Sequence, residues 1–223
     1  MHPLIVAIDG PSGVGKSTAS RLVAGELGIP HIDTGAMYRA IGLAAVRHGI
    51  RFDDEQALEV LASSSNIEFL PGQPPHVLLS GEDVTPLIRT PEISMAASHV
   101  SAVPAVRRVL VRLQQELGRR KGGVLEGRDI GTKVFPETPN KFFLTARPEV
   151  RAKRRWDELE AKGTKTDFAT VLAETVQRDQ QDSTRADSPL SHDGTYAVID
   201  TSDLTIDQVV QSIVESVRSS AGP

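Results

Sequence analysis

Gly10-Pro11-Ser12-Gly13-Val14-Gly15-Lys16-Ser17 reads Gly-x-x-x-x-Gly-Lys-Ser, the pattern of a loop that cradles phosphates in its backbone N–H groups. The apolar run Leu4-Ile5-Val6-Ala7-Ile8 precedes it and reads as a buried strand. A helical pattern follows, with Ala19, Leu22, Val23 and Leu27 on one face and Gly28 as a stop. Strand, glycine-rich turn and helix start converge the backbone donors on one point, where the helix dipole adds positive potential. Lys16 can reach the terminal phosphates of a nucleoside triphosphate, and the Ser17 hydroxyl can ligate Mg²⁺.

Working outward, strands are expected at residues 4–8, 30–33, 123–126, 141–145 and 197–200. Helices are expected at 16–27, 35–48, 106–117, 148–161, 168–181 and 206–218. This alternation predicts an α/β fold: a doubly wound, parallel, five-stranded sheet with helices on both faces. Ligands of such folds bind beyond the carboxyl ends of the strands. Asp33, Glu126, the pair Arg128-Asp129 and Thr145 fall at those ends. The stretch Ile67–Thr90 breaks the alternation, with apolar runs punctuated by Pro-Gly, Pro-Pro and Ser-Gly. A small antiparallel insert with its own hairpin is expected over residues 66–97. The chain as a whole, residues 1–223, reads as a single domain, frayed over its last few residues, 219–223.

The bulk composition narrows the function. A net charge of −4 over 223 residues gives no global basic signature for nucleic acid. There are no cysteines, which excludes disulfides, thiol catalysis and thiolate metal sites. The six histidines (His2, His31, His48, His76, His99 and His192) show no metal-ligand spacing and are expected at the surface or in caps. No run approaches the roughly 18 apolar residues of a membrane span. A cytoplasmic protein without membrane or nucleic-acid partners, and monomeric, is expected.

Phosphoryl transfer brings two anions side by side, so the acceptor side should be rich in arginine. Asp33-Thr34-Gly35-Ala36-Met37-Tyr38-Arg39 joins the second strand to a helix, with Thr34 as the expected N-cap and Arg39 a turn further on. Glu126-Gly127-Arg128-Asp129-Ile130-Gly131-Thr132 follows the third strand, and the Glu126 carboxylate could orient water on Mg²⁺. Arg178, Asp182 and Arg185 share one helix face. Arg147–Arg155 carries five basic residues and one acidic. With the turn at 162–164, this region, 147–187, could form a helical lid over phosphates; a solvated hairpin fits the composition nearly as well.

GPSGVGKST, DTGAMYR, EGRDIGTKVFP and QRDQQDSTRADSPL occur in this order. Over nearly its whole length the chain resembles the bacterial-type cytidylate kinases, members of the nucleoside monophosphate kinase family of P-loop proteins. The resemblance implies transfer of the γ-phosphoryl of ATP to CMP or dCMP, with Mg²⁺. It implies that Gly10, Pro11, Ser12, Gly13, Val14, Gly15, Lys16, Ser17 and Thr18 bind ATP, with Ser17 on the metal. Arg39 and Arg128 would hold the acceptor phosphate with Thr34 close by, and Ser98, Arg107 and Asp129 would read cytosine. Arg178 and Asp182 would contact the sugar side, and Arg185 the phosphates. Lys16, Arg128 and Arg185 would be catalytic, helped by one of Arg151, Arg154 and Arg155. The alternative is another small-molecule kinase on the same core. Without ligand the 147–185 region is expected to be mobile, its positive charges uncompensated.

Overall fold

The computed structural model describes residues 3–70, 72, 75–161, 163–185 and 187–220. His2, positions 71, 73 and 74 of the expected insert, positions 162 and 186 of the expected lid, and the tail 221–223 lie outside the described residues.

The apolar run before the loop forms β1 (Ile5–Asp9), and the loop ends in α1 (Lys16–Leu27), closed by Gly28 in the left-handed conformation. Then come β2 (His31–Asp33) and α2 (Thr34–Arg47). Next are α3 (Glu55–Ser64), β3 (Ile67–Leu70), β4 (His76–Leu79) and the two-residue β5 (Glu82–Asp83). A 3₁₀ turn leads into α4 (Pro91–Ala102), followed by α5 (Pro104–Lys121) and β6 (Gly123–Gly127). A π-helical turn at Ile130–Val134 precedes β7 (Lys141–Thr145), α6 (Pro148–Ala161) and α7 (Phe168–Ser183). β8 (Ala197–Asp200) and α8 (Ile206–Ser220) complete the chain.

The five-stranded sheet has the order β2-β6-β1-β7-β8. β1 pairs in parallel with β6 and β7, and β7 with β8. Central placement explains why β1 is apolar throughout its length up to Asp9. β3, β4 and β5 make a separate antiparallel sheet.

The chain divides into two compact units, one formed by residues up to Pro30 together with those from Lys121 onward, the other by His31–Arg120. In the first, Val6, Ile8, Val23, Phe142, Leu144 and Ile213 anchor a core built from β1, β6, β7, α1 and α8. In the second, Met37, Ile41, Leu58, Ile88, Val100 and Leu110 form a core among α2, α3, α4, α5 and the small sheet.

All five expected main-sheet strands are present, within a residue or so of the expected ends. Two helices were not anticipated. Asp54 caps α3 by accepting from Ala57 N at 3.0 Å, and Thr90 caps α4 by accepting from Ile93 N at 3.2 Å, with Pro91 in the first turn. The expected small antiparallel unit is present as three strands, and α4 takes in residues 91–97 of the expected insert. Thr34 is not the N-cap of α2. Asp33 is, with an extended backbone and a carboxylate accepting from Ala36 N at 3.0 Å. A negative charge there is favoured over a neutral hydroxyl by the helix dipole.

Candidate active site

The phosphate loop leaves the end of β1 at Gly10, whose φ is +146°; a Cβ there would lie 2.1 Å from Leu144 O on β7. Only glycine lets the loop turn so close to the neighbouring strand. Gly15, also left-handed, starts α1. Lys16 is buried, and its Nζ donates to Pro11 O at 2.5 Å, curling over the loop. Burial pulls this ammonium well below its ordinary pKa, and the Arg128 guanidinium adds to the effect; Glu126, Asp182 and Asp9 oppose it. A bound polyphosphate would reverse that balance. Ser17 Oγ donates to Glu126 Oε2 at 2.8 Å, so a hydroxyl and a carboxylate from the ends of two elements form one hard oxygen pair.

Beyond β6 the chain carries Arg128 and the buried Asp129 into the π-helical turn, with Phe135 N donating to Ile130 O at 2.7 Å. Such turns recur at functional sites because they redirect side chains within a rigid element. From α7, Asp182 accepts from Arg128 Nε at 2.9 Å and from Arg185 Nη2. Burial pushes the Asp182 carboxyl up, but the two guanidinium groups outweigh this and leave it below its ordinary value. Arg178 adds to the same field.

The sequence left three lid arginines undecided, and the geometry separates them. Arg151 is buried, donates to Ser12 O in the phosphate loop at 3.2 Å, and clasps Asp179 with both Nη atoms at 2.8 and 2.5 Å. Arg154 donates to Thr201 O at 2.7 Å, and Thr201 Oγ1 donates to Val14 O at 3.0 Å. Arg155 pairs with Glu158 on the surface at 3.2 Å. The expectation of uncompensated charge in this region is overturned: Arg147, Arg151, Arg155 and Arg185 each have a carboxylate partner. A buried guanidinium without a counter-charge would cost several kcal/mol, roughly.

The second unit holds Thr34, Arg39, Ser98 and Arg107. Thr34 is buried at the start of α2, and Arg39 pairs with Asp33 at 2.7 Å. Burial pushes the Asp33 carboxyl up, yet Arg39 and His31 bring it below its ordinary value. Arg107, buried on α5, lies with its guanidinium 5.7 Å from the Tyr38 ring centroid. Ser98 is half-buried on α4.

Two features escaped the sequence reading. A cleft of about 240 Å³ beside the loop is lined by Val14, Gly15, Thr18, Arg154, Thr201 and Leu204, among others. Thr201 directly follows β8, so the rule of strand carboxyl ends could have flagged it. Asp9 is fully buried at the end of β1 and accepts from Ile130 N, Gly131 N and Tyr196 Oη.

A P-loop on a parallel sheet, with a hydroxyl–carboxylate pair and clustered arginines at the strand ends, defines a P-loop kinase. Solved structures agree on the fold. An uncharacterized protein from Eubacterium ventriosum superposes with a TM-score of 0.54 at 15% identity, covering 97% of this chain and 98% of that one. A gluconokinase from Sinorhizobium meliloti gives 0.50 at 15% identity, covering 99% and 94%. The family model for cytidylate kinase matches residues 6–219. The cytidylate kinase of Syntrophotalea carbinolica is 50% identical over 215 residues, covering 96% of this chain and 92% of that protein. That of Caldicellulosiruptor saccharolyticus is 49% identical over 217 residues, covering 96% of each. The chain belongs to the cytidylate kinase family.

Proposed function

We infer that this chain transfers the γ-phosphoryl group of ATP to CMP or dCMP, giving ADP and CDP or dCDP. The observation that carries this reading is the cluster at the strand ends of the first unit. The phosphate loop with Lys16 suits a donor triphosphate, while Arg128 and Arg185, converging on Asp182, suit a second phosphate beside it.

The loop amides of residues 10–18 and Lys16 would hold the donor phosphates, Lys16 Nζ leaving Pro11 O for phosphate oxygen. The cleft lined by Arg154 and Thr201 would take the donor base. Ser17 and Glu126 offer the hard oxygen ligands that Mg²⁺ prefers, and they fit the ion. Bound there, Mg²⁺ would supply charge neutralisation across the transferring phosphates. Arg39, Arg128 and Thr34 would grip the acceptor phosphate, and Arg178 and Asp182 its sugar side.

Ser98, Arg107 and Asp129 would read the base. Cytosine presents an exocyclic amino donor where uracil presents a carbonyl. An ionised Asp129 accepts from the first and repels the second, and a buried carboxylate left facing a carbonyl costs about 1–3 kcal/mol or more. With both nucleotides held in line, positioning and charge stabilisation carry the rate, and no general base is needed.

A panel of nucleoside monophosphates with ATP and Mg²⁺ tests the reading. CMP and dCMP are expected to turn over fastest; AMP or UMP outpacing both would overturn it. A different acceptor, such as a non-nucleotide metabolite, has no specific support among the described residues.

A further inference from the structure

Asp9 lies at a point where three separate stretches of the first unit meet. Its Oδ1 accepts from Ile130 N at 2.9 Å, and its Oδ2 accepts from Gly131 N at 2.9 Å and Tyr196 Oη at 2.7 Å. The residue after it, Gly10, begins the phosphate loop, and the residues before Ile130 are Arg128 and Asp129. One carboxylate thus ties the donor-gripping loop to the acceptor-gripping turn. Tyr196 is itself held: Lys141 Nζ sits 5.8 Å from its ring centroid and bonds Thr195 Oγ1 at 3.1 Å, and Phe143 meets the ring edge-on. Gly131 leaves room for this contact, since a Cβ there would lie 2.5 Å from Tyr196 Oη.

The two sides of the tie are unequally supported. Asp9 belongs to a strand paired on both edges, with Gly127 on β6 and Phe143 on β7, and Gly10 is packed against the Leu144 carbonyl. The loop side is therefore fixed without the carboxylate. Arg128 and Asp129 join the end of β6 to the π-helical turn Ile130–Val134, whose first two N–H groups donate to Asp9.

We propose that Asp9, backed by Tyr196, is a positioning residue that sets the acceptor-binding turn at Arg128 and Asp129 in register with the phosphate loop. It acts through that turn and touches neither nucleotide. The inference rests on the acceptor reading given above, and wild-type turnover of CMP checks that reading separately.

The test compares Asp9→Asn and Tyr196→Phe with wild type by steady-state kinetics in both substrates, corrected for the folded fraction by circular dichroism. Asparagine keeps the volume but puts an amide donor against a backbone donor. Asp9→Asn is expected to lower kcat about 10-fold or more and raise KM for CMP, with KM for ATP within about 2-fold. Tyr196→Phe, which loses the hydroxyl that donates to Asp9 and little volume, is expected to show the same split at about 3-fold. If Asp9→Asn fails to fold, Tyr196→Phe decides alone. Unchanged kinetics per folded molecule, or KM rising equally for ATP and CMP, would overturn the proposal and leave the cluster a purely structural one. A wild type that turns over ATP with some other acceptor but not CMP would reject the acceptor reading; the same split, read on that acceptor, would still decide the role of Asp9.

Discussion

Arg128 Nε donates to Asp182 Oδ2 at 2.9 Å across 54 residues of chain, and Asp182 is almost wholly buried. Arg185 bonds the other carboxylate oxygen. The two arginines assigned to phosphates are therefore held on one carboxylate, which keeps them in place for anions to meet. Substrate phosphates would compete for these guanidinium groups while Asp182 turns toward the sugar.

Removing that carboxylate leaves two guanidinium groups facing each other in a poorly solvated place. Asp182→Ala is expected to destabilise the protein by about 2 kcal/mol, discounted because Arg128 is partly exposed. It should also raise KM for CMP more than KM for ATP. Urea unfolding and steady-state kinetics check the two effects, and an unchanged unfolding midpoint would argue against the pairing.

Lys16 separates catalysis from stability in the opposite way. Its ammonium is buried, and burial disfavours its charge. Lys16→Met is expected to lower kcat about 100-fold or more, as the loss of a charge-stabilising donor does. The melting temperature should not fall, because a costly buried charge has been removed. Near-normal turnover would refute the phosphate-loop assignment.

Asp129 is buried and assigned to the base rather than to either phosphate. Asp129→Ala should cut the preference for CMP over UMP by about 10-fold or more while leaving KM for ATP nearly unchanged. Competition assays with the two monophosphates measure this directly. Equal losses for every base would remove Asp129 from base recognition.

The local features of this chain were legible because they have local causes. The apolar run before Gly10, the Gly28 stop of α1 and the i, i+4, i+7 spacing of Arg178, Asp182 and Arg185 need no knowledge of distant residues. α3 and α4 were missed although Asp54 and Thr90 are ordinary N-caps, because the Pro and Gly punctuation between them dominated the reading of that stretch. The pairings were hidden for a different reason. Ser17 meets Glu126 across 109 residues, and Asp9 meets Tyr196 across 187. No periodicity links such positions; the sheet order alone brings them together. Asp9 itself fell just past the expected strand at 4–8 and turned out to be the last residue of β1.

Its burial has a consequence for pH. The Asp9 carboxyl is pushed from 3.8 up to about 6, chiefly by burial, against the three hydrogen bonds it accepts and with help from the nearby Asp129. The folded protein thus holds this proton more tightly than the unfolded chain. Stability from this group is complete below the unfolded value and is lost as pH rises through about 6. Asp9→Asn abolishes that titration. The unfolding free energy of the variant minus that of wild type should therefore increase between about pH 4 and about pH 7, by up to about 3 kcal/mol. Urea titrations of both proteins across that range measure the difference. A flat difference would mean that the bonds from Ile130, Gly131 and Tyr196 cancel the cost of burial.

Gly10 gives the sharpest steric expectation. Alanine there would place Cβ 2.1 Å from the Leu144 carbonyl oxygen and require a φ of +146°. The obstacle is backbone on β7, so no side chain can swing aside. Relief would require the loop or the strand to move, yet β7 is paired on one edge with β1 and on the other with β8. Gly10→Ala is therefore expected to lose more than about 3 kcal/mol of stability and to bind ATP poorly whatever fraction folds. Thermal unfolding with and without ATP checks both. A melting temperature within about 2 °C of wild type would show that the loop can leave β1 by another path.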